Sequence, residues 1–325
     1  MSLTDTTEQA QTETEQLRNS SFSPRLPNLQ LAWDSTSYNA LDKCPRFYQH
    51  SIIEGRTGAH INAHLKFGTI FHGATELYAR NRAEGLGHDQ SLTESLRYAI
   101  VETWNPILRR PWASEEPTKT RNTLFRSIVW YLDQFKDDSL RTLILANGKP
   151  AVEFSFRFDT GLRTTNDEPL LLCGHIDRIV EWNDEMWITD RKTTKNELDE
   201  NYFKQFNPHN QVSIYSIAGI VALGETIRGL IIDGCQILVT GSRFRRQPIP
   251  NSDDLLEEWM KDFEIKTRQA EEYARENYWP MNRQSCGHGR FQCQFRPVCS
   301  SEPSMRPDLL EALYVRRTWD PLQPR

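Results

Sequence analysis

Several things are missing from this sequence, and each absence narrows what it does. No apolar run among its 325 residues approaches the roughly 18 residues that a membrane-spanning helix needs. The opening 30 residues hold no apolar segment of the kind a secretory signal requires. The expectation is a cytoplasmic (intracellular) protein with no membrane partner. Excess positive charge is also absent: 39 Lys and Arg stand against 44 Asp and Glu, a net charge of −5. Proteins that coat nucleic acid by bulk charge are strongly basic, so that class is disfavoured, while a local basic groove stays open. There is no internal repeat. Cysteine is sparse, at Cys44, Cys173, Cys235, Cys286, Cys293 and Cys299. Without export a disulfide framework is a poor explanation, and metal binding, catalysis or plain burial are better ones.

What is present suits a soluble globular chain with a sizeable core, since 38% of residues are hydrophobic and 26% charged. Residues 1–30 are rich in Thr, Gln, Glu and Ser and read as a disordered tail. Residues 31–150 read as mostly helical, with apolar residues at three- and four-residue spacing from Phe67 to Arg82 and from Leu124 to Leu145. Pro106, Pro111 and Pro117 interrupt the middle of that region. Residues 151–245 carry three β-type runs, Val152–Phe158, Leu170–Trp182 and Met186–Thr194. A predicted helix then runs from about Pro208 to Leu223, started by Asn207 and stopped near Gly224, and a further predicted strand runs from about Gly234 to Thr240. Residues 246–325 hold a long amphipathic stretch and the last three cysteines. That order predicts a single α/β domain with a mixed sheet.

The segment from Gly174 to Thr193 is the most informative. Asn183 and Asp184 both tolerate positive φ and suit a two-residue turn between β-type runs. Residues whose numbers sum to 367 then face each other, and Asp177 and Asp190 are such a pair. Their Cβ atoms would stand about 5 Å apart on one face, with Lys192 two residues past Asp190 on that same face. Two facing carboxylates repel and are costly to bury without a cation between them. A hard divalent ion such as Mg²⁺ takes oxygen ligands and is the natural occupant. The plainer alternative is a surface hairpin whose carboxylates pair with Lys192 and Arg178. Gln211 and Tyr215 share a helix face by their four-residue spacing, as do His72 and Glu76.

These parts, in this order, resemble the PD-(D/E)xK nuclease superfamily, and within it the RecB-like exonucleases. That group includes the nuclease domains of RecB and AddB and the CRISPR-associated RecB-like exonucleases. The carrying motifs are Gly68-x-x-x-His72, Glu153 in a strand, Gly174-x-x-Asp177, Asp190-x-Lys192 and Gln211-x-x-x-Tyr215. The resemblance implies a restriction-endonuclease-like mixed β-sheet core flanked by helices, with a helical N-terminal region and a cysteine-rich C-terminal region. It implies catalytic roles for Glu153, Asp177, Asp190, Lys192, Gln211 and Tyr215. It also implies a Mg²⁺ or Mn²⁺ ion held by His72, Asp177 and Asp190. Some members close their fold with a 4Fe–4S cluster on one early cysteine and three late ones, here Cys44, Cys286, Cys293 and Cys299. Four thiolates suit such a cluster or zinc. Six residues separate Cys286 from Cys293 where relatives often have two, which keeps His288 open as a substitute ligand. Cys173 and Cys235 lie in β-type runs and read as buried. The expected substrate is DNA with single-stranded ends. No helicase motif is present, so unwinding would come from a helicase or recombination partner. Ser242-Arg243-Phe244-Arg245-Arg246 suits phosphate contact. The alternative is a DNA-end-binding or scaffold subunit with the same fold and little activity.

Overall fold

The computed structural model describes residues 20–58, 63–288 and 291–323. In chain order its main strands are β1 (Ala32–Trp33), β2 (Val152–Arg163), β3 (Pro169–Trp182), β4 (Glu185–Thr194), β5 (Ile227–Ile237) and β6 (Ser242–Pro250). Its main helices are α1 (Ser35–Lys43), α2 (Ala63–Ala83), α3 (His88–Glu102), α4 (Arg121–Gln134), α5 (Asn210–Leu223), α6 (Asp253–Arg275) and α7 (Arg306–Leu313). The chain forms two compact units that interleave in sequence. Among the described residues one unit takes 20–58, 155–174, 257–288 and 291–323, and the other takes 63–154 and 175–256. Because the chain enters each unit more than once, the linear order of elements hides the division.

The second unit is built on a mixed sheet. From residue 178 onward β3 runs antiparallel to β4, β4 runs parallel to β5, and β5 runs antiparallel to β6. The parallel β4–β5 pair needs a crossover, and α5 supplies it. That helix sits close on the sheet at Gly219, where an added Cβ would come within 2.8 Å of Ile227. It ends where expected, with Gly224 in the left-handed region at φ 68. On α2, α3 and α4 the apolar stripes supply Phe67, Phe71, Ala99, Leu124 and Ile128 to a core completed by Cys235 and Ile237 from β5. The α4 N-terminus is closed by a capping box between Thr120 and Thr123.

In the first unit β1 runs parallel to residues 171–172 of β3. Asp34 caps α1 through the backbone N–H of Ser37 at 2.9 Å. Trp33, Tyr38, Tyr48, Trp259, Phe263 and Trp279 form an aromatic core in which ring centroids lie 5.0–6.4 Å apart.

Several sequence expectations shift. The predicted helix to Leu145 ends at Gln134. Leu140 instead joins Val180, Trp187 and Ile231 in a separate core, and the Leu143 N–H donates to Ile179 O at 3.0 Å. Its apolar spacing served a sheet edge rather than a continued helix. The strand expected from Gly234 starts at Ile227, and α5 starts at Asn210 with His209 as its cap rather than Asn207. The basic stretch 242–246 is part of β6, where the Arg245 and Arg246 side chains bind Leu198 O and Asp138. Of the expected tail, residues 1–19 lie outside the described residues, while Phe22 pairs with Gln30 across an antiparallel bridge. No helix among the described residues is long and apolar enough to cross a membrane.

Candidate metal centre and cysteine site

The hairpin joins β3 to β4 through Asn183 at φ 52 and Asp184 at φ 60. Paired residues sum to 367 from Arg178–Thr189 to Trp182–Glu185. A slip of one residue would have sent every side chain to the other face. Beyond Arg178–Thr189 the Arg191 N–H donates to Asp177 Oδ2 at 3.0 Å, so the two carboxylate-bearing segments stay side by side.

Helix α2 adds the other half. His72 and Glu76 are one turn apart on it, and His72 Nδ1 lies 3.3 Å from Asp177 Oδ2. Ligand atoms of His72, Glu76 and Asp177 all fall within 4.8 Å of one another. Asp190 is 2% exposed, and its Oδ2 lies 2.8 Å from Lys192 Nζ. Lys192 Nζ also donates to Gln211 Oε1 at 2.8 Å, and Gln211 Nε2 donates to Asp190 Oδ1 at 3.3 Å. Asp190, Lys192 and Gln211 thus form a closed triangle on β4 and α5.

The electrostatics show a surplus of negative charge. Burial, then the charge of Asp177, pushes the Glu76 carboxyl up to about 7. Burial also raises Asp190, against the pull of Lys192 and with further help from Asp177. Burial pushes Asp177 up as well, but His72 and the Arg191 N–H outweigh it and hold Asp177 well below the usual carboxylate range. Three carboxylates whose charges oppose one another, beside an imidazole, fit a divalent cation, which would relieve that repulsion.

Each expected site residue can now be placed. His72, Asp177, Asp190, Lys192 and Gln211 come together. Glu153 stands at the start of β2 with φ 52, its Oε2 3.5 Å from Arg80 Nη2, near enough to Glu76 to raise it. Tyr215 lies one turn beyond Gln211 on α5 and is buried. Two contributors had no assigned part. Glu76 carried its signal in the four-residue spacing from His72, but a Glu on an amphipathic helix reads as a solvated face. Arg191 carried none. Its Nη1 donates to Thr75 Oγ1 at 2.6 Å and its Nη2 to Tyr131 Oη at 3.1 Å, which ties β4 to α2 and α4.

The candidate cysteine site lies in the first unit. Cys44 follows α1, is buried, and its Sγ accepts the Asn282 N–H at 3.3 Å. The Cys293 N–H donates to Cys286 O at 3.1 Å. Burial raises the Cys299 thiol, and against the opposing pull of Arg46 the charges of Cys293, Cys44 and Cys286 raise it further. The four thiols expected to act together are therefore electrostatic neighbours. The His288 side chain lies outside the described residues. Cys173 is buried with Ala32 and Leu171 in the first unit, and Cys235 is buried in the core of the second.

The sequence profile of the PD-(D/E)XK nuclease superfamily matches residues 33–300. Among solved structures the chain is similar to one from Eubacterium rectale, provisionally named an exonuclease. Identity is 12% over 84% of this chain and 94% of that one, with a TM-score of 0.46. It is also similar to the protein SSO0001, at 11% identity over 74% and 95% of the two chains, with a TM-score of 0.28. No curated protein matches the chain.

Proposed function

The chain belongs to the PD-(D/E)XK nuclease superfamily, and from that premise we propose that it is a divalent-metal-dependent deoxyribonuclease of the RecB-like kind. In this reading it acts as an exonuclease on DNA with single-stranded ends, inside the cell, in recombination, repair or phage-type DNA processing. A helicase or recombination protein would supply unwinding. The observation that carries the reading is the Asp190–Lys192–Gln211 triangle beside the His72, Glu76 and Asp177 ligand group.

His72, Glu76, Asp177 and Asp190 would hold Mg²⁺ or Mn²⁺. When bound, the ion supplies Lewis-acid polarisation of the scissile phosphate and a more acidic water. The chain's own groups do the rest. Gln211 and Asp190 fix Lys192 Nζ, so its charge is aimed at the attacked phosphate and its N–H groups can orient the water. Arg191 holds Asp177 through its backbone N–H and so fixes the distance between β3 and β4. Glu153 tunes Glu76, and Tyr215 supports Gln211 from the next turn of α5. Hydrolysis proceeds by direct water attack, with no nucleophilic side chain required.

The test is digestion of end-labelled oligonucleotides with Mg²⁺, Mn²⁺ or EDTA. Cleavage should need the ion, with Mn²⁺ at least as effective as Mg²⁺, because an imidazole softens the ligand set. His72→Ala should weaken metal use more than DNA binding. Tight binding of DNA ends with no cleavage in either ion would replace this reading by the end-binding or scaffold one.

For the cysteine site we propose a 4Fe–4S cluster on Cys44, Cys286, Cys293 and Cys299, with zinc as the alternative. Anaerobically purified protein should be brown, with iron and sulfide in near-equal amounts. Cys44→Ala should lose the colour and much of the stability together, because a thiolate-bound metal contributes directly to folding. Cys173→Ala and Cys235→Ala should keep the colour. Colourless protein with stoichiometric zinc would overturn the cluster and keep the four-cysteine site. Metal-free protein would overturn both.

A further inference from the structure

Within the second unit a cavity of 290 Å³ opens beside the metal centre. Six cationic side chains line it: Arg82, Lys136, Arg141, Arg178, Arg191 and Arg246. Only one lining residue, Asp138, is acidic. Asp138 accepts from Arg246 Nη1 at 2.6 Å and from Arg178 Nη2 at 3.3 Å. Asp233, buried behind the wall, lies 3.6 Å from Arg191 Nε and 3.4 Å from Arg246 Nε and also accepts from Tyr131. Three inner guanidiniums therefore share two carboxylates. At the rim Arg141 is engaged by Glu181 at 2.9 Å, which leaves Arg82 and Lys136 as added positive charge. Asp133 and Asp137 act on the Tyr78 side without lining the cavity.

Burying unbalanced charge is expensive, so a folded chain that does so is arranged for a counter-ion. Arg178 is 9% exposed, and among the described residues no protein atom accepts from its Nε. An anion in the cavity would meet this excess of cationic side chains. Guanidinium forks match phosphate oxygens in pairs. The volume is near the lower end for ligand sites, about 300 Å³. Tyr78, Tyr131 and Phe135 give the remaining wall aromatic faces.

We propose that this cavity binds a phosphate monoester of mononucleotide size, its phosphate on Arg178 and Arg246 and its ring against the aromatic wall. The site differs from the metal centre in chemistry, although both draw on α2, β3 and β4. Asp190 is engaged by α5 through Gln211, whereas Arg191, the next residue, is engaged by α2 and α4. The proposal does not depend on whether the chain cleaves DNA.

The test uses the full chain in EDTA, so that no divalent ion can recruit phosphate to the carboxylates. Calorimetry with deoxyadenosine 5′-monophosphate should show saturable binding, with deoxyadenosine at least tenfold weaker. Asp190→Ala should bind the mononucleotide unchanged. The double variant Arg82→Glu/Lys136→Glu alters only exposed side chains and should weaken binding at least tenfold. Arg178→Met, checked for folding by circular dichroism, should lose it. Paired oligonucleotides with a 5′-phosphate or a 5′-hydroxyl identify the source. Tighter binding of the phosphorylated one means a DNA end, and equal binding means a free mononucleotide. Equal affinity for nucleoside and nucleotide, or affinity unaffected by the Arg82/Lys136 reversal, would overturn the proposal.

Discussion

On β3 and β4, neighbouring residues carry opposite charges into buried positions. Asp177 and Asp190 are buried carboxylates, and Arg178 and Arg191 are buried guanidiniums. Burial outweighs the surrounding counter-charge at Asp190 and Arg178, whereas His72 and the Arg191 N–H favour charged Asp177, and Tyr131 and Asp233 favour charged Arg191. Each pair differs from the other by one step along the same two strands. Side chains alternate across a strand, so one step is enough to move from one environment to another. A single hairpin register sets both the proposed cation site and the proposed anion site. Neither can be shifted without moving the other.

The sharpest way to break that symmetry is Arg191→Met. It leaves Asp233 buried with one partner fewer and frees Thr75 and Tyr131, so unfolding in urea should show a loss of about 3–5 kcal/mol. An unchanged midpoint would mean that the guanidinium is not what joins β4 to α2 and α4. Asp190→Ala should act in the opposite sense. It removes one of two repelling buried carboxylates, so the metal-free melting temperature should hold or rise. Cleavage should fall on the order of 10²–10³-fold, the scale of a lost electrostatic contribution at the reacting phosphate. Near-normal turnover in that variant would remove the hairpin from the catalytic site. Gln211→Ala leaves every proposed ligand in place but frees Lys192 Nζ, and a loss of about 10–100-fold is expected for such a supporting partner. An effect on the metal requirement rather than on the rate would make Gln211 a ligand instead.

The mildest change is a pH dependence. With Glu76 pushed up to about 7, a proton competes with the cation, so Mn²⁺ affinity measured by calorimetry should fall as pH drops through about 7. The metal-free chain has the converse behaviour. It keeps a proton that the unfolded chain releases above 4.5, so its stability should decline as pH rises from there towards about 7. Glu76→Gln should flatten both profiles, and profiles that kept their slope would place the titration on another group.

Much of the site could be read in advance because it depends on local rules. Turn chemistry at Asn183 and Asp184 fixed the strand register by counting, and four-residue spacing placed Gln211 on a predictable helix face. The end of α4 could not be read, because Leu140 and Leu143 continue a helical spacing while serving a sheet edge. Nor could β6, whose run of arginines looks like exposed surface. Arg246 is held there by Asp138, more than one hundred positions away.

The hairpin, its turn and the Gly224 stop of α5 were legible in the sequence, because each follows from contacts within about a dozen residues. Only the tertiary structure decided that Glu76 joins His72 and Asp177, that Arg191 anchors Asp177, and that a cavity of surplus guanidiniums forms next to the carboxylates. Those outcomes depend on how helices from one end of the chain settle against strands from the middle. Alternation along a strand says which residues share a face, but the charge each face finally meets is set by what packs against it.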